Sequence, residues 1–371
     1  PPLPVCSPCG ICLLPDAMDD ELKALRARID SIDDAMLLLL SERAGIAQQV
    51  GRAKKGEKIY RPEREAQIVR RLREANPGPL SGDTIERLMR EIMSACRAVE
   101  EDTRIAYLGP AGTFSQQAVH KHFGHEVEAV SESDIDACFQ AVETGRADFA
   151  VVPVENSTEG VIGRTLDLIV ASPLKICGEV MLPIHQTLMR KQASLDGIRR
   201  VYGHAQSLAQ CQQWLSRHLP SVERISVVSN SEGARRAAVE PDAATLGSAT
   251  AAELYGLVVV ESRVEDEASN TTRFLVLGQT EASPSGRDKT SLVMGARNQP
   301  GAVVKLLQPL ADAGISMSKL ESRPARSGNW EYLFFVVCEG HRQDPKLAAA
   351  LAEIGSRAAF LKILGSYPAA S

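Results

Sequence analysis

The 371-residue sequence lacks the features that mark several large classes of protein. No apolar run reaches the roughly 20 residues that a helix needs to cross a bilayer, so no membrane association is expected. The eight cysteines show no regular spacing, and five of them lie within apolar segments, as reduced core thiols do. A cytoplasmic location is therefore expected. The net charge of -5 argues against a nucleic-acid-binding protein.

The sequence also contains no complete metal-binding or dinucleotide-binding motif. Cys6, Cys9 and Cys12 lie in a Pro-rich stretch, but no fourth Cys or His ligand is nearby. Gly109 and Gly112 do not make the spacing G-x-G-x-x-G. Neither a metal nor an organic cofactor is therefore expected. Residues 1–17 lack the basic start and long apolar core of a signal peptide, and a disordered leader is expected there.

The longest predicted helix has an apolar face that cations interrupt. From Asp19 to Gly56 there is no proline, and apolar residues recur at spacings of three and four. In the same phase, Arg43 and Lys54 occupy positions where the pattern requires core residues. A buried cation is costly unless an anion meets it, so this face either pairs with carboxylates or receives an anionic ligand. The helix would be about 57 Å long, too long for one small domain to cover, so a homodimer is expected.

The chain divides by pattern into a leader and three folded segments. Residues 18–103 read as helical throughout, with further helices over Pro62–Ala75 and from Ser81 or Asp83 to Glu101. Residues 104–280 alternate short strands with helices, which predicts α/β layers. Residues 281–289 are expected to be a linker, rich in Ser, Pro and Gly.

The last segment, residues 290–371, predicts a ferredoxin-like βαββαβ unit. Its expected strands cover 290–296, 315–322, 330–338 and 360–366, and its expected helices cover 301–313 and 345–354.

Three polar loops in the α/β segment are candidates for a binding site. Residues 109–115 follow a strand and open a predicted helix, residues 155–160 are expected to do the same, and residues 270–274 lie at the start of a later strand. Helix N-termini offer free N–H groups to anions, although ordinary helix capping would explain each loop taken alone. Together they indicate a cleft for a small acid.

These motifs resemble the family of bifunctional chorismate mutase and prephenate dehydratase enzymes. The dehydratase motifs are GPAGTFS at 109–115, PVENSTEG at 153–160 and NTTRF at 270–274, and the regulatory ACT motifs are PGAVVKLL at 300–307 and ESRP at 321–324. The resemblance extends from about Met18 to the end of the chain. It implies an all-α mutase domain forming an intertwined dimer, a two-lobed dehydratase domain resembling periplasmic binding proteins, and an ACT domain.

By the same resemblance, one set of residues is expected to bind chorismate. These residues are Arg26, Arg43, Lys54, Arg61, Glu65, Cys96 and Glu100. Lys54 and Glu100 are the expected catalytic donors to the breaking ether oxygen, although Glu100 can donate only while protonated. This chain departs from its relatives at three of these positions: relatives have Asp in place of Arg61, Ser in place of Cys96 and Gln in place of Glu100. Arg26 lies about 100° off the interrupted face, which fits service to the other subunit's site.

The resemblance assigns a second set to prephenate, with Thr272 as the essential residue. The expected prephenate-binding residues are Thr113, Ser115, Asn156, Ser157, Thr272, Arg273 and Phe274. Because an alcohol is a poor acid, Thr272 is expected to donate a hydrogen bond to the departing hydroxyl. Glu155 and His185, which is expected in a strand, are further candidate acids.

A third set is expected to bind the effector phenylalanine between two ACT domains. It comprises Asn298, Gly301, Ala302, Val303, Glu321, Ser322 and Arg323.

Two other functions explain the sequence less completely. A non-enzymatic amino-acid sensor leaves the cations of the helical segment unexplained, and a mutase joined to a prephenate dehydrogenase needs the missing nucleotide loop.

Overall fold

The computed structural model describes residues 15–53, 60–296, 299–324 and 332–370. It divides after Glu57 into two compact units, of which the first contains one long helix and the second contains every other element. Within the described ranges, no helix is both long enough and apolar enough to span a bilayer.

The first unit consists of helix α1, Pro15–Ala53. It confirms the long helix that the apolar spacing predicts. Leu25, Ile29, Ile32 and Met36 are each more than half exposed, so the apolar face of α1 is not buried within this unit.

Two shorter helices begin the second unit. These are α2, Pro62–Glu74, and α3, Gly82–Ala98. Pro62 occupies the first turn of α2, where its missing N–H costs nothing, and the Ser81 hydroxyl caps α3 by accepting from Thr84 N at 3.1 Å. Both helices lie where the sequence predicts them. Tyr60, just before α2, is buried against Phe123 and Phe149 of the α/β region.

The α/β region has two lobes, each built on its own sheet. The first lobe has strands β1 (Arg104–Leu108), β2 (Glu128–Glu132), β3 (Phe149–Asn156), β4 (Gly160–Val161), β5 (Lys175–Pro183) and β11 (Thr271–Gly278), in the order β2-β1-β3-β11-β5 with β4 beside β3. Its helices are α4 (Phe114–Phe123), α5 (Ile135–Glu143) and α6 (Gly163–Ala171). Strands β1, β2 and β3 run parallel, whereas β11 is antiparallel to both β3 and β5.

The second lobe is inserted between β5 and β11. Its strands are β6 (Thr187–Arg190), β7 (Arg200–His204), β8 (Glu223–Val227), β9 (Ala243–Gly247) and β10 (Val258–Ser262), in the order β10-β6-β9-β7-β8. Its helices are α7 (Ala205–Gln210), α8 (Gln212–His218), α9 (Asn230–Ala237) and α10 (Ala249–Tyr255). The chain therefore crosses between the lobes twice, after β5 and before β11, and the predicted two-lobed α/β fold is confirmed.

The last region is the predicted βαββαβ unit. Its elements are β12 (Asp288–Ala296), α11 (Ala302–Asp312), β13 (Met317–Pro324), β14 (Tyr332–Glu339), α12 (Pro345–Arg357) and β15 (Phe360–Pro368), and its sheet order is β13-β14-β12-β15. One face of this sheet packs on the first lobe, where Val293, Phe335 and Leu364 share a core with Ile176 and Leu277.

The second polar loop differs from its prediction. We expected residues 155–160 to open a helix. Instead β3 continues to Asn156, a tight turn follows, and β4 pairs back on β3, with Gly160 opposite Asn156. Helix α6 begins only at Gly163. A strand of two residues is too short to give an alternating pattern, so the sequence could not indicate it.

The predicted linker is an ordered turn. Ser285 and Asp288 are buried, and the Asp288 carboxylate accepts from Ser285 N at 2.9 Å and from Gly286 N at 3.0 Å. Arg70 of α2 donates to Ser285 O at 2.6 Å, which ties this turn to the helical segment.

Candidate active sites

A cavity of about 420 Å³ lies between the two lobes. The first lobe lines it with residues that follow β1 and β3, and the second lobe with residues that follow β7, β8 and β9. Because parallel strands present their carboxyl ends at the same sheet edge, both lobes turn helix-opening loops toward this cleft. The arrangement suits a small ligand held between the lobes.

Asn156 and Thr272 form the central polar pair of the cleft. Asn156 Nδ2 donates to Thr272 Oγ1 at 2.9 Å and to Asn270 Oδ1 at 2.8 Å. Asn156 Oδ1 accepts from the backbone N–H groups of Thr158 and Glu159 at 3.0 and 3.1 Å, which fixes the orientation of the amide. Since Thr272 Oγ1 is occupied as an acceptor, its own proton is free to point at a ligand.

An extra residue in β3 aims this pair into the cleft. Arg273 pairs with Glu155 but Phe274 pairs with Pro153, so Val154 is the additional residue of a β-bulge. A bulge reverses the side-to-side alternation of the strand beyond it. As a result Asn156 and Thr272 share the cleft face, and Glu155 and Arg273 point to the opposite face of the sheet.

The first polar loop contributes a helix N-terminus to the cleft. Thr113 and Ser115 both line the cavity, and α4 begins between them. Gly112 has a φ of 81°, and a Cβ there would lie 3.2 Å from the Cα of Ala251 in the second lobe, so only glycine fits. Ser248 Oγ donates to Gly112 O at 2.7 Å across the cleft. The free N–H groups of α4 can bind an anion.

No residue of the second lobe was predicted to belong to the site. The cavity-lining side chains there include His204, Ser207, Ser229, Asn230 and Ser248. A detectable signal was present, because Ser229 and Ser248 lie within two residues of the ends of short strands and cap helices. Among the described residues that line the cavity there is no lysine or arginine, so neutral donors and helix N-termini must supply its attraction for an anion.

Three of the predicted prephenate-binding residues make other contacts. The Arg273 guanidinium binds Glu179, Phe274 is buried among Tyr107, Phe123 and Phe149, and Ser157 Oγ accepts from Thr271 N at 2.9 Å. None of the three lines the cleft cavity within the described part of the chain.

The two further candidate acids also lie outside the cavity wall. Glu155 forms an ion pair with Lys319 at 2.6 Å. His185 lies in the crossover between the lobes, after the end of β5, and not in a strand as expected. Its Nδ1 is 2.8 Å from the carboxylate of Glu265, whose side chain is 2% exposed.

In the helical segment of the second unit, Arg97 Nη1 donates a hydrogen bond to the Glu65 carboxylate and forms an ion pair with it. The Arg97 guanidinium also lies 5.3 Å from the centre of the Tyr60 ring and is almost fully buried. Cys96 is buried beside it on α3, Glu100 is half-buried just beyond the end of α3, and Arg61 lies 3.9 Å from Glu63. Arg97 was not predicted, because a single arginine in a helix usually lies at the surface.

The remaining predicted mutase residues either lie in the first unit or fall outside the described residues. Arg26 is exposed and Arg43 is half-buried on α1. Lys54 lies outside the described residues.

The predicted effector residues lie at the start of α11 and on β13. Gly301 adopts a φ of 75° before α11, and Ala302 and Val303 form the first turn. Arg323 lies against the first lobe, with its Nη2 3.3 Å from the Asp167 carboxylate of α6. Glu321 and Ser322 precede it on the same strand, and Asn298 lies outside the described residues.

Comparison with known proteins identifies the family. Models of three families match consecutive segments: Chorismate mutase type II at residues 25–101, Prephenate dehydratase at 105–282 and the ACT domain at 290–356. A bifunctional chorismate mutase/prephenate dehydratase of Neisseria gonorrhoeae is 53% identical over 356 residues, which cover 95% of this chain and 98% of that protein. The chain belongs to the bifunctional chorismate mutase/prephenate dehydratase family.

A second relative and a solved structure agree with this family. The bifunctional chorismate mutase/prephenate dehydratase of Escherichia coli K12 is 33% identical over 375 residues, covering 94% of this chain and 97% of that protein. A prephenate dehydratase of Arthrobacter aurescens, solved in complex with L-Phe, is 30% identical, with a TM-score of 0.66 over 72% of this chain and 90% of that one. The chain is therefore an enzyme with mutase and dehydratase activities and an ACT regulatory domain, as the motifs predict, and the sensor alternative is not supported.

Proposed function

We propose that the cleft between the lobes holds prephenate and that Thr272 promotes departure of its hydroxyl. The Asn156–Thr272 pair carries this proposal, because it leaves one oriented O–H proton in a cavity of suitable size. Conversion of prephenate to phenylpyruvate releases carbon dioxide and water and takes up one proton. Thr272 stabilises the developing hydroxide by hydrogen bonding, and the proton itself comes from solvent or another group.

The side-chain carboxylate of prephenate is assigned to the N-terminus of α4. The N–H groups that follow Thr113 point along the helix axis toward the cleft, and the Ser115 hydroxyl adds a donor, whereas the Thr113 hydroxyl donates to Leu108 O at 3.3 Å. The ring carboxylate must leave as carbon dioxide, so a site without lysine or arginine among its described lining residues suits it, since no strong ion pair opposes its loss.

For the first reaction, Arg26, Arg43, Lys54, Arg61, Glu65, Cys96 and Glu100 are proposed to bind chorismate. The rearrangement is concerted and needs no nucleophile, so these groups act by fixing a compact conformer and stabilising charge on the ether oxygen. Arg26 is proposed to serve the site of a second subunit.

Phenylalanine is proposed as the effector, bound by residues at the start of α11 and on β13. Support comes from the L-Phe complex of the Arthrobacter aurescens relative. Val304, Met317 and Leu320 are exposed apolar residues of α11 and β13, and β13 is an edge strand, which suits pairing with a second ACT domain. A homodimer is proposed from this surface and from the uncovered face of α1.

A cytoplasmic location is proposed from the cysteines. None of the five cysteines in the described part of the chain forms a disulfide, and all five are buried, as suits a reducing compartment.

The role of Thr272 is tested by two substitutions in the full-length chain. Thr272→Val keeps the shape but removes the hydroxyl, and we expect dehydratase kcat to fall at least about hundredfold. Thr272→Ser keeps the hydroxyl and should retain activity within about tenfold. Equal activity of the Val and Ser variants on prephenate would contradict the assignment.

A further inference from the structure

The ACT sheet contacts the residues that adjoin the cleft pair. Glu155 adjoins Asn156 on β3, and its Oε2 lies 2.6 Å from Lys319 Nζ of β13, an ion pair and not an aligned hydrogen bond. Arg273 adjoins Thr272 on β11, and its Nη2 donates to the Tyr367 hydroxyl of β15 at 3.0 Å.

A buried carboxylate, Glu179 of β5, joins these contacts. Arg273 Nε donates to its Oε2 at 2.9 Å, and its Oε1 accepts from Lys289 Nζ at 2.6 Å and from Ala370 N at 3.1 Å. The Glu179 side chain is 0% exposed. Burial acts to raise the pKa of Glu179, but Arg273 and Lys289 outweigh it and hold the pKa below its ordinary value. Apart from Arg273, the partners of Glu179 come from the C-terminal region.

Glu155 and Arg273 are also paired in register across β3 and β11. Successive side chains of a strand point to opposite faces, so a change in the backbone at Glu155 or Arg273 moves Asn156 or Thr272. If Lys319 is lost, Glu155 can compete with Glu179 for Arg273. Such a switch would pull β11 out of the position that aims the Thr272 hydroxyl.

We propose that Glu155 and Arg273 are positioning residues of the dehydratase, held by the ACT-domain residues Lys319 and Tyr367 so that Asn156 and Thr272 point into the cleft. The inference rests on the proposed role of Thr272. Lys319 lies on β13 with the proposed effector residues Glu321, Ser322 and Arg323. A displacement of this strand therefore reaches β3 through the Lys319–Glu155 ion pair.

The test is a double-mutant cycle in the full-length chain, with dehydratase and mutase rates both measured. The variants are Lys319→Met, Glu155→Gln and their combination. We expect each single change to lower dehydratase kcat about tenfold, with the KM for prephenate changed less than about threefold. The double variant should lose little more than the more severe single variant, because both changes break one interaction.

Two further variants serve as controls. Lys319→Arg keeps the charge and should restore dehydratase kcat to within about threefold of wild type. Lys346→Met removes an exposed lysine from α12 of the same domain and should leave dehydratase kcat unchanged. Mutase activity should stay at the wild-type level in every variant, and circular dichroism checks that each variant is folded.

Wild-type dehydratase kcat in Lys319→Met, or losses that multiply in the double variant, would overturn the proposal. If Lys319→Met does not fold, Tyr367→Phe decides the question, since it removes only the hydroxyl that Arg273 contacts. We expect that variant to lose about threefold in kcat at unchanged KM, and full activity would overturn the proposal. An error in the role of Thr272 would appear separately, as an active Thr272→Val variant.

Discussion

At the scale of single residues, Val154 determines the directions in which the side chains of Glu155 and Asn156 point. As the extra residue of a bulge, it turns Asn156 into the cleft and Glu155 toward the ACT sheet. The motif PVENSTEG at 153–160 therefore places side chains on both faces of the sheet. The same division holds on β11, where Thr272 lies in the cleft and Arg273 binds Glu179.

The motifs located the cleft from sequence, but could not give the direction of each side chain. Thr113, Ser115, Asn156 and Thr272 line the cavity as expected. Arg273 was assigned to prephenate by the family resemblance, as part of the motif NTTRF. A bulge that depends on the pairing of two distant strands cannot be seen in a local pattern. The second lobe was missed for a related reason, since its capping residues become neighbours of the cleft only when the lobes face each other.

Glu100 gives a prediction at this scale. As the proposed donor to the ether oxygen, it acts only while it carries a proton, so mutase kcat should fall as the pH rises. Glu100→Gln can donate at every pH, and we expect it to flatten the mutase profile and retain activity on the alkaline side. The dehydratase profile of the same variant serves as the control and should not change.

Steady-state mutase rates measured between about pH 5 and about pH 9 test this prediction. A folded Gln variant with the wild-type pH profile would show that Glu100 is not the donor.

At the scale of elements, α1 presents an exposed apolar face. Leu25, Ile29, Ile32 and Met36 follow one another along this face and are each more than half exposed. Exposed apolar area of this extent marks an interface. The helix could be predicted from the sequence because apolar periodicity is a local property. A second subunit was predicted because a helix of this length is too long for one small domain to cover.

We expect Ile32→Glu to dissociate the dimer, because it places a charge in the apolar interface. Mutase activity should fall at least about hundredfold, since Arg26 can no longer reach the other subunit's site. Asp34→Lys is the control, because it makes a larger charge change on the roughly opposite face of the helix. Sedimentation velocity gives the mass of each variant, and an Ile32→Glu chain with wild-type mass and mutase rate would contradict the dimer proposal.

The contact of β5 and β11 with the ACT sheet gives a prediction on stability. Because the pKa of Glu179 is lower in the folded chain than its unfolded value of about 4.3, its carboxylate contributes stability above that pH. This contribution is lost as the pH falls through the folded pKa. We expect Glu179→Gln to lower the free energy of unfolding by about 3 kcal/mol at pH 7, because Arg273 and Lys289 lose their buried partner.

Urea unfolding followed by circular dichroism at neutral and acid pH tests this. The difference between Glu179→Gln and wild type should shrink toward acid pH. Glu353→Gln, which removes a surface partner of Arg357, should cost less than about 1 kcal/mol. Equal urea midpoints for the Glu179 and Glu353 variants would contradict the buried network.

At the scale of the whole molecule, two successive reactions are assigned to different parts of one chain. The mutase residues lie within the helical segment, and the dehydratase cleft lies between the two α/β lobes. The ACT sheet is less separate than its sequence suggests, because Val293, Phe335 and Leu364 complete a core of the first lobe. Deleting the ACT segment would expose that core, so point substitutions are the sound way to separate regulation from catalysis.

The most direct test of two separate sites is one assay that measures prephenate and phenylpyruvate together, starting from chorismate. We expect Thr272→Val to accumulate prephenate at the wild-type rate with almost no phenylpyruvate. Arg43→Ala should form prephenate at least about a hundredfold more slowly, yet convert added prephenate normally. A variant that is folded by circular dichroism but loses both partial activities to the same extent would contradict the account.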